Sequence, residues 1–131
     1  MRSLLLALIL TGCAAGTAPQ MIPGAPPPGP YRLVALDGVA FAYPATLTFG
    51  ADGTLYGEGP CNLWRARQVG AVPQLRVVSL TLTERACVDK RAMQAETDFI
   101  GALAQITRAQ FDGRALTLTG PDRALRLTRD E

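Results

Sequence analysis

Three times along the chain an Asp-Gly dipeptide stands between two apolar, alternating runs: Asp37-Gly38, Asp52-Gly53 and Asp112-Gly113. Both residue types tolerate positive φ, which two-residue hairpin turns require, so each dipeptide predicts adjacent antiparallel strands. Tyr31–Leu36 precedes the first. Thr46–Phe49 and Thr54–Tyr56 flank the second, and Ala109–Phe111 and Ala115–Leu118 flank the third. Two more strands follow from alternation: Leu75–Thr83, with Val78, Leu80 and Leu82 on one face, and Arg123–Thr128, with Leu125 and Leu127 against Arg126. The repeated turn role also removes three of the seven aspartates as candidates for acid catalysis or metal binding.

One helix interrupts this pattern. Asp89 is suited to N-cap a run over Lys90–Ile106. Ala92, Glu96, Phe99, Leu103 and Ile106 recur at spacings of three and four, and Met93 and Ile100 widen the stripe. Glu96 is the one polar member. It lies either at a solvated edge or inside, satisfying backbone donors or Asn62. The expected fold is therefore α+β: an antiparallel, barrel-like curved sheet of roughly seven strands with one packed helix.

The first thirty residues read differently. Arg2 followed by the apolar run Leu4–Leu10 is too short for a finished membrane span. It leads into Leu10-Thr11-Gly12-Cys13, which resembles a bacterial lipobox. On that reading residues 1–12 are a signal peptide and Cys13 carries the lipid. Residues 13–30 are a Pro/Gly/Ala-rich tether holding six of the ten prolines, and residues 31–131 are the domain. The tether cannot bury enough apolar surface to fold and favours extended polyproline II. Two or more acyl chains on Cys13 would anchor the protein firmly. Ala14 after the cysteine, by resemblance to known lipoproteins, points to the outer membrane, with the domain facing the periplasm.

Lipidation of Cys13 leaves Cys61 and Cys87 of the three cysteines. An exported domain sits where disulfides persist, which favours pairing them; the alternative is two buried free thiols. Four-ligand metal chemistry finds no histidine in the chain and no further cysteine, so no metal or cofactor is expected. The absence of histidine also excludes Ser-His-Asp and Cys-His catalysis. After Cys13 the one serine is Ser79 and the one lysine Lys90, and the acidic residues are scattered. The chain is thus expected not to be an enzyme. A net charge of +2 gives no sign of a nucleic-acid partner. The stretch with binding character is Asn62-Leu63-Trp64-Arg65-Ala66-Arg67, a loop in which Trp64 could stack on a sugar or peptide while Arg65 and Arg67 pair an anion. The competing reading puts Trp64 in the core and the arginines in solvent.

Four groups of residues in order carry a resemblance. Cys61-Asn62 follows a Gly-rich strand. Then come Thr83-x-x-Ala86-Cys87, Glu96-x-x-Phe99-x-x-x-Leu103 and Phe111-Asp112-Gly113-x-x-Leu116-x-Leu118. Over Tyr31–Arg129 this resembles the META domain (heat-shock HslJ-like) family. The chain departs from the family pattern at Pro60, where a glycine is usual. It departs again at Arg65-Ala66-Arg67-Gln68, where a glycine and a tyrosine are usual. The resemblance implies an envelope-associated domain, linked in some members to heat shock, drug tolerance or motility, with no catalytic residues to carry over. The expected role is a non-catalytic binding or stress-protective lipoprotein with an envelope protein or small ligand as partner. A small β-barrel lipoprotein inhibitor of lysozyme-type hydrolases is the alternative.

Overall fold

The structure, a computed structural model, describes residues 26–129. The expected signal peptide, the anchor Cys13 and most of the tether lie outside these residues. Nine strands and one helix follow in the order β1 (Pro30–Leu36), β2 (Val39–Ala40), β3 (Thr46–Phe49), β4 (Thr54–Glu58), β5 (Leu63–Val69), β6 (Arg76–Leu82), α1 (Lys90–Leu103), β7 (Arg108–Phe111), β8 (Ala115–Thr119) and β9 (Ala124–Arg129). All pair antiparallel in one sheet of order β6-β5-β4-β3-β1-β9-β8-β7, with β2 on β1. The sheet curls until its two edges approach. Gln74 bridges Arg108, and Ala109 N–H donates to Pro73 O at 2.9 Å.

All three Asp-Gly dipeptides sit in turns. Asp37 and Gly38 both have positive φ, at 50° and 80°, and join β1 to β2. Asp52 Oδ1 accepts from Thr54 N–H at 3.0 Å, and Asp112 Oδ1 accepts from Arg114 and Ala115 N–H at 2.9 and 2.7 Å. Asp37 reaches further. Its carboxylate accepts from Ala124 N–H at 2.8 Å and pairs with Arg123 at 2.9 Å, tying the β1–β2 turn to the turn before β9.

The core lies between the sheet's inner face and α1. Leu33, Leu47, Leu55, Leu116, Leu118, Leu125 and Leu127 point in from the strands, Leu75 from just before β6, and Phe99, Leu103 and Ile106 from the helical side. Each such fully buried side chain contributes about 1.5–3 kcal/mol relative to exposure. Asp89 caps α1 by accepting from Arg91 N–H at 2.8 Å. At the other end, Tyr31 is wholly buried between Phe49 and Phe111, and its hydroxyl donates to Pro27 O at 2.7 Å. The last prolines of the tether thus pack onto the domain. Burial pushes the Tyr31 phenol above its usual pKa, partly offset by Arg129.

Several expectations change. Nine strands replace seven: the short β2 is added, and β5 occupies the stretch read as a loop. In β6 the buried residue is Val77, not Val78. The register with β5 shifts between Arg65 and Arg67, and Ser79 adopts φ 53°, so a bulge resets the alternation. Leu82 is 39% exposed rather than inward. The helix ends at Leu103, with Ile106 packing from the turn beyond. Met93 is 51% exposed, outside the buried stripe.

Candidate functional site

The residues singled out around the two cysteines form a closed knot. Cys61 and Cys87 are disulfide-bonded, with Cα atoms 5.6 Å apart. Cys61 sits in the tight Gly59–Asn62 turn between β4 and β5, where Gly59 N–H donates to Asn62 O at 2.6 Å. Glu96, one of two buried polar residues among the described residues, points from α1 into this turn. Its Oε2 accepts from the backbone N–H of Cys61 at 2.9 Å and of Asn62 at 2.6 Å, and its Oε1 accepts from Asn62 Nδ2 at 2.7 Å. Successive backbone N–H groups converging on one oxygen make a nest for an anion, here filled by the protein's own carboxylate. Gly59 permits the approach, since a Cβ there would stand 2.7 Å from Glu96 Oε2.

Asn62 extends the knot to the next strand end. Its Oδ1 accepts from Arg85 N–H at 2.7 Å and from Thr83 Oγ1 at 3.0 Å, and Thr83 Oγ1 in turn accepts from Leu63 N–H at 3.1 Å. Asn62, Thr83, Cys61, Cys87 and Glu96 therefore hold the β4–β5 turn, the end of β6 and the helix together. The buried alternative for Glu96 is the one the structure adopts. Asn62 has both ends of its amide engaged inside the protein and presents neither to a ligand.

Trp64 is likewise interior. It is 3% exposed, meets Phe99 edge-on at 6.0 Å between centroids, and donates from Nε1 to Thr46 O at 3.1 Å. Alternation along β5 then puts Arg65 and Arg67 on the outer face. Of the four residues proposed as a binding loop, two are structural, and the two arginines are exposed on a strand.

Arg65 does line a concavity. A groove of about 880 Å³ crosses the outer face of β1, β3, β4, β5 and β6, in the range of small-molecule and peptide sites. One row of side chains runs Pro30, Thr48, Tyr56, Arg65, Thr81, following the cross-strand register; a second includes Thr46, Glu58, Leu63 and Thr83. Tyr56 and Leu63 are 47% and 42% exposed. Gly57 lets the sheet coil tightly here, because a Cβ on it would collide with the Thr46 carbonyl. A smaller depression of about 540 Å³ lies by the β1–β2 turn and α1. Its Arg123 is already spent on Asp37 and on Asp98 O.

The sequence signals for this groove were weak. Tyr56 and Glu58 read as ordinary strand and turn residues, and only the pairing of β4 with β5 brings them beside Leu63 and Arg65.

A family model for the META domain matches residues 27–131. The chain belongs to the META domain family. A protein from Burkholderia xenovorans solved by NMR has the same fold. It is 22% identical, with a TM-score of 0.65 over 92% of this chain and 99% of that one. A second NMR structure aligns at TM-score 0.60 and 16% identity, covering 76% of this chain and 86% of the other. A search of curated proteins finds no significant match. In this META domain the four motif groups have a structural meaning: Cys61-Asn62, Thr83, Cys87 and Glu96 make the knot. Phe99, Leu103, Leu116 and Leu118 make the core beneath it.

Proposed function

We propose that the protein is a non-catalytic, lipid-anchored envelope module whose META domain holds a partner in its outer-face groove. The observation that carries this reading is the Cys61–Cys87 disulfide. It fits an oxidising compartment and leaves Cys13, in Leu10-Thr11-Gly12-Cys13, as the one thiol still to be accounted for. A Pro-rich tether ending where the domain packs Pro27 against Tyr31 suits a domain carried at a distance from a membrane surface.

The non-catalytic part rests on chemistry. The chain has no histidine, and Glu96, the most buried carboxylate among the described residues, already accepts from three donors. The groove offers rigid strand-borne side chains and an exposed aromatic, which suit binding. The test is metabolic labelling with an alkyne palmitate, followed by envelope fractionation. Native protein should be labelled and float with the outer membrane. Cys13→Ser should lose the label and become soluble after signal cleavage. A Cys13→Ser protein that stays in the membrane fraction would contradict the anchor.

A further inference from the structure

The groove carries a charge pattern that narrows what it can hold. Tyr56 faces Arg65 across the β4–β5 ladder, and Glu58 faces Leu63. All four side chains stand on the outer face and are exposed. The two charges therefore occupy one diagonal of a four-residue tile, and the two apolar side chains the other. Diagonal neighbours lie roughly 7–8 Å apart, their Cβ atoms somewhat closer. Neither Arg65 nor Glu58 has an ion-pair partner among the described residues. Asp52, whose carboxyl also feels the Arg65 charge, is committed to its own turn through Thr54.

We propose that this groove binds an extended peptide bearing oppositely charged side chains two residues apart. The inference deepens the binding-module reading by naming the ligand class. In an extended chain, side chains i and i+2 lie on one face about 6.7 Å apart, matching the diagonal of the tile. A ligand of one sign would cover Arg65 or Glu58 without pairing it, which costs desolvation with no return. The groove crosses five strands, four spacings of about 4.8 Å, so it is longer than a single amino-acid-sized zwitterion needs. Tyr56 and Leu63 receive apolar side chains flanking the charged pair. The Thr48 hydroxyl, beside Tyr56, is placed for the peptide backbone; that of Thr81, beside Arg65, donates to Arg65 O at 3.4 Å and keeps its lone pairs for a backbone N–H.

Eight-residue peptides of threonine and valine carrying Glu and Lys two positions apart provide the probe, with Glu/Glu and Lys/Lys versions as controls. Titration into the purified full chain in detergent micelles is read by emission of Trp64, the one tryptophan, which lies under the groove. The mixed-charge peptide should bind about tenfold more tightly than either control, the factor of one partly desolvated pair at roughly 1.4 kcal/mol. Arg65→Glu should shift the preference to Lys/Lys, and Glu58→Arg to Glu/Glu. Both positions are exposed, so unchanged melting curves will show that the fold survives; Arg65→Gln and Glu58→Gln serve if it does not, the first removing the preference over Lys/Lys and the second the preference over Glu/Glu. Equal affinity for all three peptides, no binding by any, or preferences that ignore the substitutions would overturn the proposal. Labelling at Cys13 is read separately, so an anchored protein that ignores these peptides loses this ligand class and keeps its place in the envelope.

Discussion

Replacing Glu96 should unfasten the domain at its most connected point. The carboxylate accepts three hydrogen bonds, two from backbone N–H groups of the Gly59–Asn62 turn and one from the Asn62 amide. Bonds to a charged acceptor contribute about 1.5–3 kcal/mol each. The turn is half-buried, so water replaces part of what Glu96→Ala removes, and the three bonds are not additive. We expect a loss of about 3 kcal/mol. For a domain of this size that lowers the melting temperature by roughly 12–20 °C. Glu96→Gln is the sharper test, since it keeps shape and volume. Its amide presents one oxygen and one NH2 where the structure supplies donors on both sides, so one donor must face another. A loss of about 2 kcal/mol is expected, within the cost range of a buried unsatisfied donor. The assay is urea unfolding of the full chain under oxidising conditions, followed by Trp64 emission. A Glu96/Asn62 double-mutant cycle should show strong coupling, because the two share two of the knot's bonds, one of them between side chains. Glu96→Gln as stable as native within about 0.5 kcal/mol, the scatter of an ordinary surface substitution, would refute the reasoning.

Other outcomes follow from the same structure. Reducing the Cys61–Cys87 bond, which spans 26 residues, should cost about 3.5 kcal/mol on the chain-entropy model, measured as a shift in the urea midpoint. Trp64→Ala should cost about 3–5 kcal/mol, as for a large core side chain; Arg67→Ala, on the outer face, should stay within about 0.5 kcal/mol by thermal melting. Asp112 is held below the usual carboxylate range by the backbone of Ala115 and then Arg114, and Asp52 by Thr54. A depressed folded-state pKa adds stability that is present above the unfolded value near about 3.9 and lost as pH falls through the folded one. Acid melts of Asp112→Asn should therefore fall less steeply below about pH 4 than those of the native chain.

The hairpins were legible because their turns state their own geometry. Gly38, Gly53 and Gly113 take positive φ, Asp52 and Asp112 hold their turns by bonds two or three residues on, and Asp89 caps its helix within two residues. What depended on distant contacts was not legible. Strand β5 carries arginines on alternate positions and the small Ala66 inside, so it lacks the apolar run that marks a buried strand. The bulge at Ser79 shifted the inward phase of β6 by one residue, which no local pattern signals. Met93 follows the helical spacing, yet sits where α1 turns away from the sheet. The role of Glu96 was readable only as one of two options, since its partners lie 34 and 35 residues away. The groove was hidden for the same reason. Arg65 stands out along the chain, but Glu58 and Tyr56 are unremarkable there and join it as a pattern only in the β4–β5 register.

The central claim is that the working surface of this META domain is the outer-face groove and not the Cys61–Asn62 turn. A photoreactive residue placed at Tyr56 in intact cells tests it most directly, with the same residue at Met93, exposed on the helix, as the reference. The account predicts a discrete cross-linked adduct from position 56 that is lost when Arg65→Glu is added, and none from position 93. An adduct from position 93 alone, or one from position 56 that is indifferent to Arg65, would contradict it.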